Sequence, residues 1–379
     1  MMLAPIATVR AHTSYAYDVY LRNGCFYDVV YKLKALERVR DVLVVTDENV
    51  HRLYAGELVR KIGRSGFRVL TFVFEPKRKK KSLETAKEIF RLLFKNHADR
   101  HTLVLNVGGG TVGDLGGLVA ALYLRGIRYI HMPTTLLSQA DSGVGGKVNV
   151  NFGPHLNSLS VFHHPAAVWI DPDVLKTLSA REYLSGLAEI VKYALVLDPE
   201  LFAMLEENRE RLATRQKDIL EKIIRRCLKR KCKIVSRDPK EEGAFRFFNY
   251  GHELGHAVEV AYDYEQLLHG EAVSIGMMAA SWMGVQAHLT DAALFDRQRT
   301  LLAGLGLPTA IPGRLRKGMT PARLAQRIKR ILENDKKRTP EGSLWIVPVR
   351  LGKAMCTTDI QPDLVKRCLR RLAAGDISP

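Results

Sequence analysis

The sequence predicts an α/β domain built on a parallel sheet, followed by a domain made almost wholly of helices. Three observations carry that prediction. Short apolar runs alternate with helical periodicity as far as residue 178. Those runs are apolar throughout instead of at every second position, as strands buried on both faces require. From about residue 180 the pattern turns helical, with one late exception.

Residues 41–46 (DVLVVT), 68–74 (RVLTFVF), 102–107 (TLVLNV), 129–133 (YIHMP) and 167–171 (AVWID) read as buried strands. Between them, 83–96 and 112–125 carry helical periodicity, so the strands are parallel and helices cover both sides of the sheet. In the second half 180–196, 213–236, 247–261, 270–288, 292–305 and 321–333 read as helices, and 344–349 as a short strand. The predicted domains are therefore 1–178 and 179–379, without an internal repeat or a low-complexity linker.

Composition narrows the class. A chain of 379 residues is long enough for two separate cores. No apolar run reaches the roughly 18–20 residues of a membrane span, and the first residues, with neither a sustained apolar stretch nor a small-residue cleavage site, do not read as a secretion signal. The 5 cysteines are odd in number and scattered, which predicts reduced thiols in the cytoplasm and excludes a disulfide framework or a Cys-rich zinc site. A net charge of +18 suits either nucleic acid or a small anionic substrate. Much of it sits in Lys77-Arg78-Lys79-Lys80-Lys81 and in 225–233, neither interleaved with aromatics in the manner of a single-strand binder. Most of these side chains read as a solvated cationic face, and nucleic acid is not the expected partner.

Gly108-Gly109-Gly110-Thr111-Val112-Gly113-Asp114 follows the strand TLVLNV and opens a helix. Glycines let a backbone approach a diphosphate closely, and the N–H groups of a helix start favour negative charge. The spacing GGGxxGD is not the dinucleotide pattern GxGxxG, and a glycine cluster alone can be a plain tight turn. Pro133-Thr134-Thr135 ends the next strand on the same carboxyl edge, where ligands bind in open sheets, so a nucleotide cleft is expected there.

In the helical half, Asn249-Tyr250-Gly251-His252-Glu253-Leu254-Gly255-His256 puts two histidines one helical turn apart, and His269 follows in Leu-Leu-His-Gly-Glu. Three histidines so close favour a metal or acid/base role over hydrogen-bonded core positions. His252–His256 also spells H-E-x-x-H. A zinc protease of the longer pattern would need a glycine and a histidine where Glu259 and Tyr262 stand, and Gly255 serves no purpose in that chemistry.

Taken together, these segments resemble 3-dehydroquinate synthase, a sugar-phosphate cyclase family, over nearly the whole chain. The resemblance runs through residues 108–147, Gly186-Leu-Ala-Glu-Ile-Val-Lys-Tyr193, NYGHELGHAVE, LLHGEAV and Asp335-Lys336-Lys337, five motifs in order. It implies a Rossmann-like parallel-sheet nucleotide domain followed by an all-helical metal-binding domain, usually as a homodimer, and a place in the shikimate pathway. The implied reaction oxidises a heptulosonate phosphate with NAD, eliminates phosphate, returns the hydride and closes a carbocycle. The resemblance assigns Zn²⁺ (or Co²⁺) to Glu189, His252 and His269, a set that leaves a position open for substrate. It places Lys192 beside the reacting hydroxyl. Asn249, His256, Lys336 and Arg125 fall to phosphate, Arg125 reaching into the partner's site. Lys147 and Lys231 match carboxylate-binding residues, Asp141 an orienting carboxylate, and Asn157 a site amide. On the cofactor side the resemblance implies Asp47, Asn49, Lys81, Gly109, Gly110, Thr111, Asp114, Thr134, Thr135, Lys147 and Thr177.

Three positions depart from the family pattern. Phe245 replaces an arginine that grips the carboxylate, with Arg246 one residue later and about 100° round a helix. Leu156 replaces a lysine, read here as a buried leucine that makes the site less polar. Arg78 replaces a glutamate, which raises NADP as an alternative to NAD. Three other readings stay open: a cyclase for sedoheptulose 7-phosphate or an amino analogue, a glycerol-1-phosphate dehydrogenase-like enzyme, and a degenerate nucleic-acid binder.

Overall fold

A computed structural model describes residues 15–153, 155–239, 244–262, 266–316, 318–333, 338–339 and 342–377. Six strands form one parallel sheet: β1 (Asp18–Leu21), β2 (Asp41–Asp47), β3 (Arg68–Phe74), β4 (Leu103–Gly108), β5 (Tyr129–Pro133) and β8 (Ala167–Ile170), in the order β1-β8-β5-β4-β2-β3. Val42–Val45 and Leu103–Leu105 are fully buried because helices cover both faces. One face packs α3 (Leu83–Lys95) and α4 (Gly110–Leu122) through Ile89, Leu93, Leu115 and Val119. The other packs α1 (Val29–Ala35) and α2 (Gly56–Arg64) through Leu33, Leu58 and Ile62.

The chain runs from β2 out to β3 and then returns to β4 on the other side of β2. That reversal opens a crevice at the carboxyl ends of β2 and β4, where Asp47 and the glycine turn lie. Strands β6 (Lys147–Phe152) and β7 (His155–Phe162) form a separate antiparallel hairpin over α4, which the sequence reading did not anticipate. Its pattern is polar and half-exposed, so no apolar run announces it.

The second half packs α5 (Ala180–Leu197), α6 (Pro199–Glu207), α7 (Lys217–Arg237), α8 (His252–Ala261), α9 (His269–Gln286), α10 (Ala292–Gly304), α11 (Pro321–Glu333) and α12 (Pro362–Ala374) around one core. That core also takes in Leu136, Ala140 and Val144 from the segment after β5, so the sheet's carboxyl edge abuts the helices.

Several expected elements are corrected. The helix expected over 247–261 is broken: residues 244–249 form a 3-10 turn, Gly251 adopts φ 78°, and the helix starts only at His252. The helix expected to reach Arg125 stops at Leu122, and Leu124 and Arg125 take φ 47° and 67°. The late strand, β9 (Trp345–Arg350), pairs antiparallel with an unexpected β10 (Lys353–Thr357), and α12 was not anticipated. Among the described residues, no helix is long and apolar enough to cross a membrane.

Candidate active site

The cofactor-side residues gather on the sheet's carboxyl edge. Gly109 caps α4, and a Cβ there would stand 2.8 Å from Thr135 Cγ2, so only glycine lets the turn lie against Thr135. Gly110 and Thr111 begin the helix, with their N–H groups at its positive end. Thr134 N–H donates to the Gly108 carbonyl at 3.0 Å, and Thr135 Oγ1 accepts from Ser138 N–H at 3.2 Å. Asp47 ends β2 and caps the next turn by accepting from Val50 N–H at 3.0 Å, with Asn49 exposed beside it. Thr177 Oγ1 lies 2.7 Å from Tyr54 OH on the same edge.

Lys81 ties this edge to the hairpin. Its Nζ lies 2.5 Å from Asp114 Oδ2 and donates to Asn157 Oδ1 at 2.6 Å. Burial pushes the Asp114 carboxyl up, against the opposing pull of Lys81 and Lys147. Lys147 starts β6 and, with Gly110, Asp114, Tyr129, His131, Ser138 and Ser142, lines a small cavity beside the turn. Asn157 sits at φ 48°, and its neighbour Leu156 is half-buried, not buried as expected.

Asp141, in the segment after β5, is the hub between the two halves. Its Oδ1 accepts from Lys231 Nζ at 2.6 Å and from Tyr193 OH at 2.8 Å, and its Oδ2 from Lys192 Nζ at 3.1 Å. Burial would raise this carboxyl, yet Lys192 and Lys231 outweigh it and hold it well below the carboxylate range. Lys192 also lies 2.5 Å from Glu189 Oε2, one helical turn earlier on α5. Burial alone would lower Lys192, but Asp141 and Glu189 raise it above its ordinary value. Phe248 caps both ammonium groups, its ring centroid 4.8 Å from Lys231 Nζ and 5.6 Å from Lys192 Nζ.

Two helices, α8 and α9, bring the histidines together beside Glu189 of α5 through close backbone approaches. A Cβ on Gly276 would stand 2.0 Å from the Gly251 carbonyl, and one on Gly270 1.9 Å from the Ser185 carbonyl. These contacts hold α9 against α8 and α5. The Glu189 side chain is 2% exposed, and its Oε1 lies 3.6 Å from His252 Nε2 and 3.1 Å from His269 Nε2. His252, His256 and His269 also place one ring nitrogen each within 4.8 Å of one another.

In His252 and His269 the other ring nitrogen faces an oxygen. His252 Nδ1 faces the Tyr250 carbonyl at 3.3 Å and His269 Nδ1 faces Glu259 Oε2 at 3.4 Å, both acceptors. With Nδ1 on such an acceptor, each ring turns its Nε2 towards Glu189 Oε1, where an ion held between them would find a lone pair. Two imidazole nitrogens turned towards one oxygen of a buried carboxylate are the donor set of a divalent cation.

Of the remaining expected residues, Asn249 is half-buried just before the Gly251 break. Arg125 lies exposed beyond the far end of α4 and is not brought to this cluster. Lys336 and the side chains of Arg78, Phe245 and Arg246 lie outside the described residues. Sequence reasoning missed Tyr193, Phe248 and Glu259 as members of the cluster. Tyr193 and Glu259 stood inside the quoted motifs, but only the fold shows what they touch.

Comparison with known proteins agrees across the chain. The model of the 3-dehydroquinate synthase N-terminal region matches residues 71–185, and that of the C-terminal region matches 186–338. A 3-dehydroquinate synthase of Picosynechococcus is 35% identical over 352 residues, covering 92% of this chain and 94% of that protein. One from Desulforamulus reducens is 36% identical over 346 residues, covering 91% and 94%. Among solved structures, the 2-epi-5-epi-valiolone synthase ValA of Streptomyces hygroscopicus, with NAD⁺ and Zn²⁺ bound, superposes with a TM-score of 0.84. It is 29% identical and covers 97% of this chain and 100% of its own. On these matches, the chain belongs to the 3-dehydroquinate synthase family.

Proposed function

We propose that the protein is a sugar-phosphate cyclase that converts 3-deoxy-D-arabino-heptulosonate 7-phosphate to 3-dehydroquinate and phosphate, using NAD and a zinc or cobalt ion. The observation that carries the reading is the buried chain Lys231–Asp141–Lys192–Glu189, which runs into His252 and His269 beside a nucleotide-type edge. A bound ion would supply Lewis acidity to a substrate hydroxyl, and NAD a hydride acceptor that is regenerated in the same cycle. Glu189, His252 and His269 are the proposed ligands.

The chain's own groups then divide the work. Lys192, held cationic between two carboxylates, orients the hydroxyl and stabilises the negative charge that develops on its oxygen. Asp141 fixes Lys192 and Lys231 in place. Lys231 and Lys147 face the substrate carboxylate, while Asn249, His256 and Lys336 hold phosphate. Asp47 and Asn49 take the adenosine end, Gly109, Gly110, Thr111 and Asp114 the diphosphate, and Lys81, Thr134, Thr135, Thr177 and Asn157 border the cofactor. The free cysteines support a cytoplasmic location, and a nucleotide domain followed by a metal domain remains the proposed division near residue 178.

A homodimer completes the proposal. Leu159 and Val161 share one exposed face of β7, and Leu122, Leu124 and Phe162 are exposed nearby in the fold. The outer edge of β7 pairs with no described strand. Such an apolar edge calls for cover, and it adjoins Arg125.

Cyclisation of sedoheptulose 7-phosphate is the second reading, favoured by Phe245 in place of arginine and by the resemblance to ValA. The test supplies NAD⁺ and Zn²⁺, offers each sugar phosphate, and follows phosphate release and product mass. Turnover of the heptulosonate without net NADH is expected. Turnover of the carboxylate-free sugar alone would select the second reading, and accumulation of NADH would mark a dehydrogenase.

A further inference from the structure

We propose that Glu259 is the positioning residue of the metal site: it accepts the Nδ1–H of His269 and so leaves the Nε2 of that ring as the donor facing Glu189. The inference rests on the metal site proposed above and adds a residue outside its ligand set. Glu259 lies on α8 seven residues after His252, and it is fully buried. A carboxylate at such depth is costly unless it is partnered. Its Oε2 stands 3.4 Å from His269 Nδ1, whereas Glu189 Oε1 stands 3.1 Å from Nε2.

The two carboxylates thus flank one imidazole, each at its own nitrogen. Glu189 lies on the ion side, with His252 Nε2 3.6 Å from the same oxygen. Glu259 lies on the other, where it cannot share that ion but can fix the ring and raise its basicity. Helix α8 therefore serves the site twice, with His252 as a donor and Glu259 behind the donor from α9. The glutamate inside the H-E-x-x-H string, Glu253, is only half-buried.

The test compares wild type with Glu259→Gln, which keeps the shape and removes the charge. Zn²⁺ affinity is measured by chelator competition, the Co²⁺ ligand-field spectrum is recorded, and melting of the metal-free proteins is followed alongside. The expected result is Zn²⁺ binding about 10–100-fold weaker in the variant, with a displaced cobalt band, in a chain that still melts cooperatively. A folded variant with wild-type affinity and spectrum overturns the inference, since a carboxylate needed only for packing would leave both unchanged. Wild type that takes up no metal overturns the site proposal itself. Should Glu259→Gln not fold, nitrogen-edited NMR of the unaltered zinc-loaded protein decides: an Nδ1–H tautomer at His269 supports the inference, and an Nε2–H tautomer overturns it.

Discussion

At the scale of single residues, Asp141 balances two buried ammonium groups, so its charge matters more than its shape. Asp141→Asn leaves Lys192 and Lys231 buried beside a neutral amide. Removing one member of such a buried set costs about 3 kcal/mol, which chemical denaturation would show as a lower midpoint. Turnover is expected to fall at least ~100-fold, because Lys192 loses its orientation towards the hydroxyl whose charge it stabilises. Wild-type turnover in the variant would contradict the role given to Asp141. His131 makes a different prediction. Burial pushes its imidazole down from 6.5 to about 4, with only weak opposition from the Asn106 backbone. The unfolded chain therefore takes up a proton as pH falls through about 6.5, while the folded chain refuses it down to about pH 4. Stability should drop over that window by roughly 3 kcal/mol in all and level off below it. His131→Gln should flatten that part of the curve in denaturation series across the window, and an unchanged slope would count against it. The site's charged members were legible as motifs, whereas Glu259 and Phe248 were not. A buried glutamate or a capping ring declares itself only when another helix lies against it.

At the scale of elements, the proposed metal ligands converge because three helices meet backbone to backbone. Gly276 on α9 leaves no room for a methyl group, since its Cβ would stand 2.0 Å from the Gly251 carbonyl. Gly276→Ala must part α8 from α9, at a cost of about 1–3 kcal/mol for overpacking. The shift should separate His252 from His269 and weaken Zn²⁺ binding even where the chain stays folded. Calorimetric melting and chelator titration check the two effects, and full metal affinity in the folded variant would refute the link between them. The same contacts explain Gly255, which looked purposeless in the sequence: its Cβ would meet the Ala272 carbonyl at 3.0 Å. Strands β2 and β5 were readable to within a residue, because continuous apolar runs mark strands buried on both faces. The edge strand β3 carried its own apolar run although it is mostly half-buried. The β6–β7 hairpin was not, because it is held over α4 with much of its surface exposed. Helix α12 did carry a signal, Leu364, Cys368, Leu369 and Leu372 on one buried stripe. The break at Gly251 was hidden because its cause, contact with Met277, is tertiary.

At the scale of the whole molecule, the phosphate-binding role proposed for Arg125 goes with the proposed second copy of the chain. Helix α4 starts at the glycine turn and runs 13 residues before Arg125 follows. That is a rise of roughly 20 Å away from the turn, further than an arginine side chain spans. In the proposed homodimer this residue would serve the phosphate site of the other subunit, docked through the exposed apolar face of β7 with Leu122 and Leu124. Mixing two dead variants separates the possibilities. Arg125→Ala lacks the donated cation, and Glu189→Gln lacks a metal ligand. In a dimer of one of each, the Arg125→Ala subunit keeps its own ligands and receives arginine from its neighbour, so one of its two sites is whole. Random exchange makes half of the dimers mixed, and about a quarter of wild-type turnover should return. If Arg125 served its own subunit, both sites of the mixed dimer would stay dead and mixing would restore nothing. Refolding the two variants together and apart, then measuring phosphate release beside sedimentation velocity, distinguishes the cases and separates a failure to exchange from a failure to complement.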